Sequence, residues 1–188
     1  MPYRKFEFRA GEYYHLYNRG NNYQPIFFER ENYLYFLRQL RKYLLDTLVV
    51  IAYCLMPNHY HLLVYLKTDN LSSMMQPFAL SYTKAINKRY ERVGSLFQGR
   101  FQAVHVDRNE YLLHLSRYIH LNPVFAGLVK NPEDWEFSSY REYISPRDGT
   151  LPQPEVVLAQ FPSPSAYSQF ANAYAEGDNK IIQHLTFE

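Results

Sequence analysis

Two β-rich runs, Leu48 to Leu55 and Tyr60 to Lys67, are separated by only four residues, Met56-Pro57-Asn58-His59. Proline and asparagine are turn formers, and the Val, Ile, Tyr and Leu residues on either side favour strands, so the stretch predicts a tight hairpin. The rest of the chain has to be arranged around it. The second strand opens with His59 and His61. A strand sends residues i and i+2 to the same face, so the two imidazoles lie side by side, near the centre of a sheet. Neutral imidazole is a good ligand for Mn, Zn and similar ions, although histidine also serves as an ordinary polar sheet residue.

Upstream of the hairpin, Gly11 to Arg19 reads as a tyrosine-rich first strand closed by Gly20-Asn21-Asn22. From Glu29 to Leu45, Tyr33, Phe36, Leu37, Leu40, Tyr43 and Leu44 recur at helical spacing, with Arg38, Arg41 and Lys42 mostly off that stripe. Downstream, Leu71 to Tyr90 predicts a second helix in which Pro77 either kinks the rod or marks its first turn. Phe101 to Val106 is a short strand. A third helix, capped by Asp107 or Asn109, runs to about Asn122, where Pro123 predicts a stop nearby. Its buried arc is Tyr111, Leu112, Leu115 and Ile119; Tyr118 and Asn122, four apart, share one face turned to the sheet, and His120 projects nearly opposite.

The order strand, helix, hairpin, helix, strand predicts an α+β, ferredoxin-like (RRM-like) antiparallel sheet with helices packed on one face. Beyond Gly127 the pattern changes. Trp135, Phe137, Tyr140 and Tyr143 suggest one more short docking helix, and six of the 11 prolines fall between residues 132 and 164, which predicts an extended arm. The expected organisation is a domain over residues 1–144 and a Pro-rich acidic tail over 145–188.

Net charge is informative only when split by position. Residues 1–130 carry 17 Lys and Arg against 9 Asp and Glu, a net of +8; residues 131–188 carry 3 against 9, a net of −6. A basic body suits a phosphate-backbone partner, and the acidic tail is expected to compete weakly with it for the basic surface. Arg19, Lys84, Lys88, Arg89 and Arg100 are the candidate backbone contacts, against the plainer reading of solvated surface charge. The longest apolar run, Leu48 to Met56, has nine residues, far short of the ~20 needed to cross a bilayer. The expectation is a cytoplasmic, nucleoid-associated protein that does not enter a membrane. The single cysteine, Cys54, excludes an intramolecular disulfide and reads as a small core residue.

His-hydrophobic-His followed by a helical tyrosine resembles the signature of the HUH endonucleases. The flanking Tyr17-Asn18-Arg19-Gly20-Asn21-Asn22, Leu96-Phe97-Gln98-Gly99-Arg100-Phe101 and Tyr118 to Gly127 are similar to the single-tyrosine transposases, in particular the REP-associated branch. The resemblance spans roughly residues 11 to 144 and implies the same ferredoxin-like fold. It departs after Asn122-Pro123-Val124, where the family often shows a basic residue and this chain has Phe125.

What the resemblance implies is a divalent ion, Mg²⁺ or Mn²⁺, held by His59, His61 and Asn122, with Tyr118 as nucleophile on single-stranded or hairpin DNA. The product is a 5′-phosphotyrosine and a free 3′-OH, in a monomer or homodimer. His114, one turn before Tyr118, is an accessory candidate for proton relay or as an alternative third ligand; His15 and His105 are possible site neighbours. Two other classes remain open at this point. One is a non-catalytic hairpin or single-strand binding module whose tyrosines stack bases; the other is a zinc-stabilised structural site.

Overall fold

The computed structural model describes residues 7–145, 149–174 and 176–186. The β-branched and aromatic runs form β1 (Tyr13–Arg19), β2 (Leu48–Met56), β3 (His59–Leu66) and β4 (Gln102–Val106). They make one sheet in the order β2-β3-β1-β4, with all three pairings antiparallel. Between them run α1 (Arg30–Leu44), α2 (Leu71–Arg89) and α3 (Asn109–Phe125). This is the expected ferredoxin-like arrangement, with β3 and β1 in the middle.

The expectation that helices cover one face is corrected: both faces are covered. Tyr14, Leu16, Tyr53, Leu55, Tyr60, Leu62 and Val64 meet α1 and α2 through Phe36, Leu40, Phe78 and Tyr82. On the other face Ile51, Ala52, Cys54, Met56 and Leu63 meet α3 through Leu112, Leu115, Tyr118 and Ile119. A bulge between Val50 and Ala52 shifts the register of β2, which is how adjacent Ile51 and Ala52 reach the same core. The physical reason is legible in β2 itself, nearly all buried and therefore apolar on both sides. Cys54 is wholly buried, as expected of a core residue.

Neither internal proline ends its helix. Pro77 lies inside α2, and α3 continues past Pro123 to Phe125. There Gly127 adopts the left-handed conformation (φ +66°), with Gly127 N–H donating to Val124 O and Leu128 N–H to Pro123 O, both at 2.9 Å. That is a Schellman closure, and glycine supplies its left-handed residue.

The extended arm is also corrected. After Trp135 the chain runs along the free edge of β2: Leu55 N–H donates to Phe137 O at 2.9 Å, Ser139 N–H to Tyr53 O at 3.0 Å and Trp135 Nε1–H to Leu55 O at 3.0 Å. It then forms α4 (Tyr140–Ile144), α5 (Glu155–Leu158), α6 (Pro164–Asn172) and α7 (Asn179–Ile182), ending in a 3-10 turn over Gln183–Leu185. Two of the prolines serve these helices rather than preventing them: Pro154 precedes α5, and Pro164 occupies the first turn of α6 behind the Ser163 cap. Val157, Tyr167, Ala171, Ile182 and Leu185 are buried in the same core as α3.

That cover explains why every residue of α3 from Leu115 to Pro123 is buried, not only the predicted arc. His120, facing away from the sheet, sits in a closed polar cluster with Tyr167 Oη at 2.7 Å and Ser139 Oγ at 2.8 Å. Among the described residues no helix is long and apolar enough to cross a membrane.

Candidate metal and nucleophile site

The hairpin turn is anchored before any chemistry is placed on it. Gly20 N–H donates to Asn58 O at 2.7 Å, and Ile26 and Phe27 both donate to Pro57 O. Gly20 has no room for a side chain, because a Cβ there would collide with the Gln24 carbonyl. Gly20→Ala is therefore expected to cost about 1–3 kcal/mol by forcing this loop apart. A urea midpoint equal to the parent's would show that the loop yields freely.

His59 and His61 leave β3 on the α3 face. His59 is directly opposite Arg19 on β1, and the His59 and His61 rings lie with centroids 4.9 Å apart. From α3, Asn122 Oδ1 comes to 3.4 Å from His59 Nε2, and the Tyr118 ring sits edge-on to His61 at 5.7 Å. His59, His61, Tyr118 and Asn122 therefore converge, as the two separate sequence stretches lead one to expect.

Hydrogen bonds decide which ring nitrogens carry protons. The Asn58 amide gives its NH₂ to Tyr23 O at 3.3 Å, so its Oδ1 is the atom 2.7 Å from His59 Nδ1, which must carry the proton. Asn122 gives its NH₂ to Tyr118 O at 3.3 Å, which turns its Oδ1 to His59 Nε2. Burial, with Arg19 adding a smaller push, lowers the His59 pKa to about 4, so at neutral pH the ring has one proton and Nε2 is bare. Two lone-pair atoms thus face each other.

This arrangement suits a cation. Atoms each about 2.1 Å from one ion at octahedral to tetrahedral angles lie about 3.0–3.4 Å apart. His61, wholly buried, has its pKa lowered well below the usual range by burial and by its two histidine neighbours, which keeps it neutral as a ligand must be. Among the described residues no group of three or more His, Cys, Asp or Glu side chains can hold a metal. Any ion here would rest on two imidazoles and an amide oxygen. Such a set leaves coordination positions for oxygen ligands from a substrate and suits a hard divalent ion better than the Cys-rich sets of structural zinc.

The other predicted residues are dispersed. Arg19 reaches the site mouth, donating to Gln98 Oε1 and stacking on the exposed Tyr23 ring at 4.2 Å. Lys84, Lys88 and Arg89 are exposed on α2, across the sheet from the histidines, and Arg89 is paired with Glu29; Arg100 is exposed in the loop before β4. The acidic tail lies on the α3 side, so competition with DNA at those α2 cations is not what its position provides. His114 accepts from Arg117 Nη2 at 2.8 Å and lies against Phe170. Arg117 in turn holds the tail through Asp178 at 2.8 Å and the Phe170 carbonyl at 3.2 Å. His105 pairs with Glu12 on the opposite face of the sheet from His61, while His15 lies beside His61. Asn58, which orients His59, was not singled out from the sequence; its place in a Pro-Asn turn next to a histidine was the available signal.

Residues 11–122 match the family described as Transposase IS200 like. A REP-associated tyrosine transposase of Haemophilus influenzae is 28% identical over 101 residues, covering 48% of this chain and 57% of the relative. The chain thus matches little more than half the length of that relative. A solved structure of a REP-associated tyrosine transposase bound to a REP hairpin superposes with a TM-score of 0.64 at 20% identity, over 81% of this chain and 97% of the other. The fold and the matched segment define a transposase class. The chain belongs to the IS200-like transposase family, and the resemblance drawn from its His-Tyr-His and Tyr118 segments is borne out at that level.

Proposed function

We propose that this chain is a REP-associated-type tyrosine transposase that nicks and rejoins single-stranded DNA bearing a hairpin. The observation that carries the reading is the facing pair of bare acceptors, His59 Nε2 and Asn122 Oδ1, beside His61 and one helical turn from Tyr118. A divalent ion bound by His59, His61 and Asn122 would supply Lewis-acid polarisation of a phosphate oxygen.

The chain's own groups do the rest. Asn58 holds the His59 ring in its ligand tautomer. Arg19, opposite His59 at the mouth, offers a planar cation to the DNA backbone. A free phenol has a pKa of about 10, so Tyr118 must lose its proton as it attacks phosphorus. Attack forms the Tyr118 O–P bond and breaks the P–O3′ bond, leaving a 5′-phosphotyrosine and a 3′-OH. A second 3′-OH reverses the exchange without an external energy source. All four side chains come from one chain, which favours a site complete in cis.

The test is incubation of the full chain with a labelled single-stranded hairpin library and Mn²⁺ or Mg²⁺, read on a denaturing gel. A covalent protein–DNA band is expected. It should fall by about 10²-fold or more in His59→Ala, which removes one ligand and leaves Asn58 and Asn122 without their partner. Binding without any covalent band would favour a hairpin-binding module; a band unaffected by chelation and by His59→Ala would remove the metal from the reading.

A further inference from the structure

His15 lies on β1, one strand over from His61, and is wholly buried. Its Nδ1 is 2.5 Å from the backbone carbonyl of Leu185, 170 residues away in sequence, and its Nε2 is 2.9 Å from His61 Nδ1. A carbonyl oxygen only accepts, so His15 Nδ1 carries the proton. A wholly buried imidazole held between a backbone carbonyl and another imidazole has only neutral hydrogen-bond partners, which leave a second proton uncompensated, so the His15 ring carries one proton. His15 Nε2 is then a bare acceptor, and the atom 2.9 Å from it, His61 Nδ1, must be the donor. That leaves His61 protonated at Nδ1 and bare at Nε2.

We propose that His15 is a positioning residue: anchored by the Leu185 carbonyl, it fixes the tautomer and ring orientation of His61 so that Nε2 is the ligand atom. The site is thereby completed by the last described turn of the chain, Gln183–Leu185, whose Leu185 side chain is buried in the α3 core. The two histidines of β3 reach the same ligand tautomer by different routes. His59 uses the adjacent Asn58 side chain, and His61 uses a two-step relay that ends on a backbone carbonyl. Such outer partners commonly change metal affinity by about 10–100-fold when removed.

The inference rests on the metal-dependent reading of the site, and its experiment separates the two. Two-bond ¹⁵N–¹H correlation spectra of the metal-free, ¹⁵N-histidine-labelled full chain report the tautomer of each ring. His15 and His61 are both expected as Nδ1–H. Finding His61 as Nε2–H in the parent chain overturns the relay, whatever the protein's activity.

Two variants extend the test. His15→Leu removes the acceptor and should scatter the His61 tautomer and weaken Mn²⁺ binding, measured by calorimetry, by about 10-fold or more. His15→Gln can donate to Leu185 and accept from His61, and should keep both properties within about threefold of the parent's. Unchanged tautomer and Mn²⁺ affinity in a folded His15→Leu would overturn the proposal. If His15→Leu does not fold, the parent spectrum and His15→Gln still decide it. A correct His61 tautomer in a chain that forms no covalent DNA band would instead count against the proposed reaction and leave the relay standing.

Discussion

Tyr118→Phe is expected to reduce the covalent protein–DNA adduct by about 10⁴-fold or more while leaving the protein folded, because removing a nucleophile removes the bond-forming step itself. Tyr118 is only 3% exposed, its ring packed in the α3 core and edge-on to His61. Phenylalanine fills the same volume, so the stability cost should stay near about 1 kcal/mol, the net worth of a hydroxyl hydrogen bond. Hairpin binding should survive. The chain has 19 tyrosines, so an adduct persisting in this variant would transfer the nucleophile's role to another of them.

The second large effect is a loss of stability in mild acid. Burial lowers the pKa of His120 to about 3 and those of His15 and His59 to about 4, and pushes His61 down as well. In the unfolded chain each returns to about 6.5. Between the two values the unfolded state binds protons that the folded state refuses, so stability is full above about pH 6.5 and declines as pH falls toward 4.

His15, His59 and His120 each contribute a loss of about 2 kcal/mol between pH 6.5 and 5, and together they approach the whole stability of a domain. His120 is the clearest single lever, because its ring is enclosed by Tyr140, Tyr143 and Tyr167 and both nitrogens are engaged by Tyr167 and Ser139. Urea midpoints measured on the metal-free chain from pH 7.5 to 5 should fall steadily. A flat profile would mean that these rings accept protons without unfolding.

Much of the candidate site is legible in the sequence because its parts obey local periodicities. Alternation along β3 places His59 and His61 together. The 3.6-residue repeat of α3 places Tyr118 and Asn122 together. The short Pro57-Asn58 turn sets the register that pairs Met56 with His59. The tail was misread for an equally physical reason. Its helices are four to nine residues long, too short for a periodic pattern to stand out, and its prolines mark helix starts as readily as an extended arm. Consequently the second cover of α3 was missed. The burial of Arg117, which looks from composition like one more surface cation and instead anchors Phe170 and Asp178, was missed with it.

By itself the sequence determined the hairpin, the helical faces, the βαββαβ order and the chemical kinds of group available, since these depend on turn residues and repeats within a few positions of one another. Only the tertiary structure decided that both sheet faces are covered, that His15 stands next to His61, and that a carbonyl from residue 185 ends their hydrogen-bond chain. Which nitrogen of an imidazole is bare depends on what faces the other one, and for His61 that partner comes from a residue 46 positions upstream, brought alongside by strand pairing.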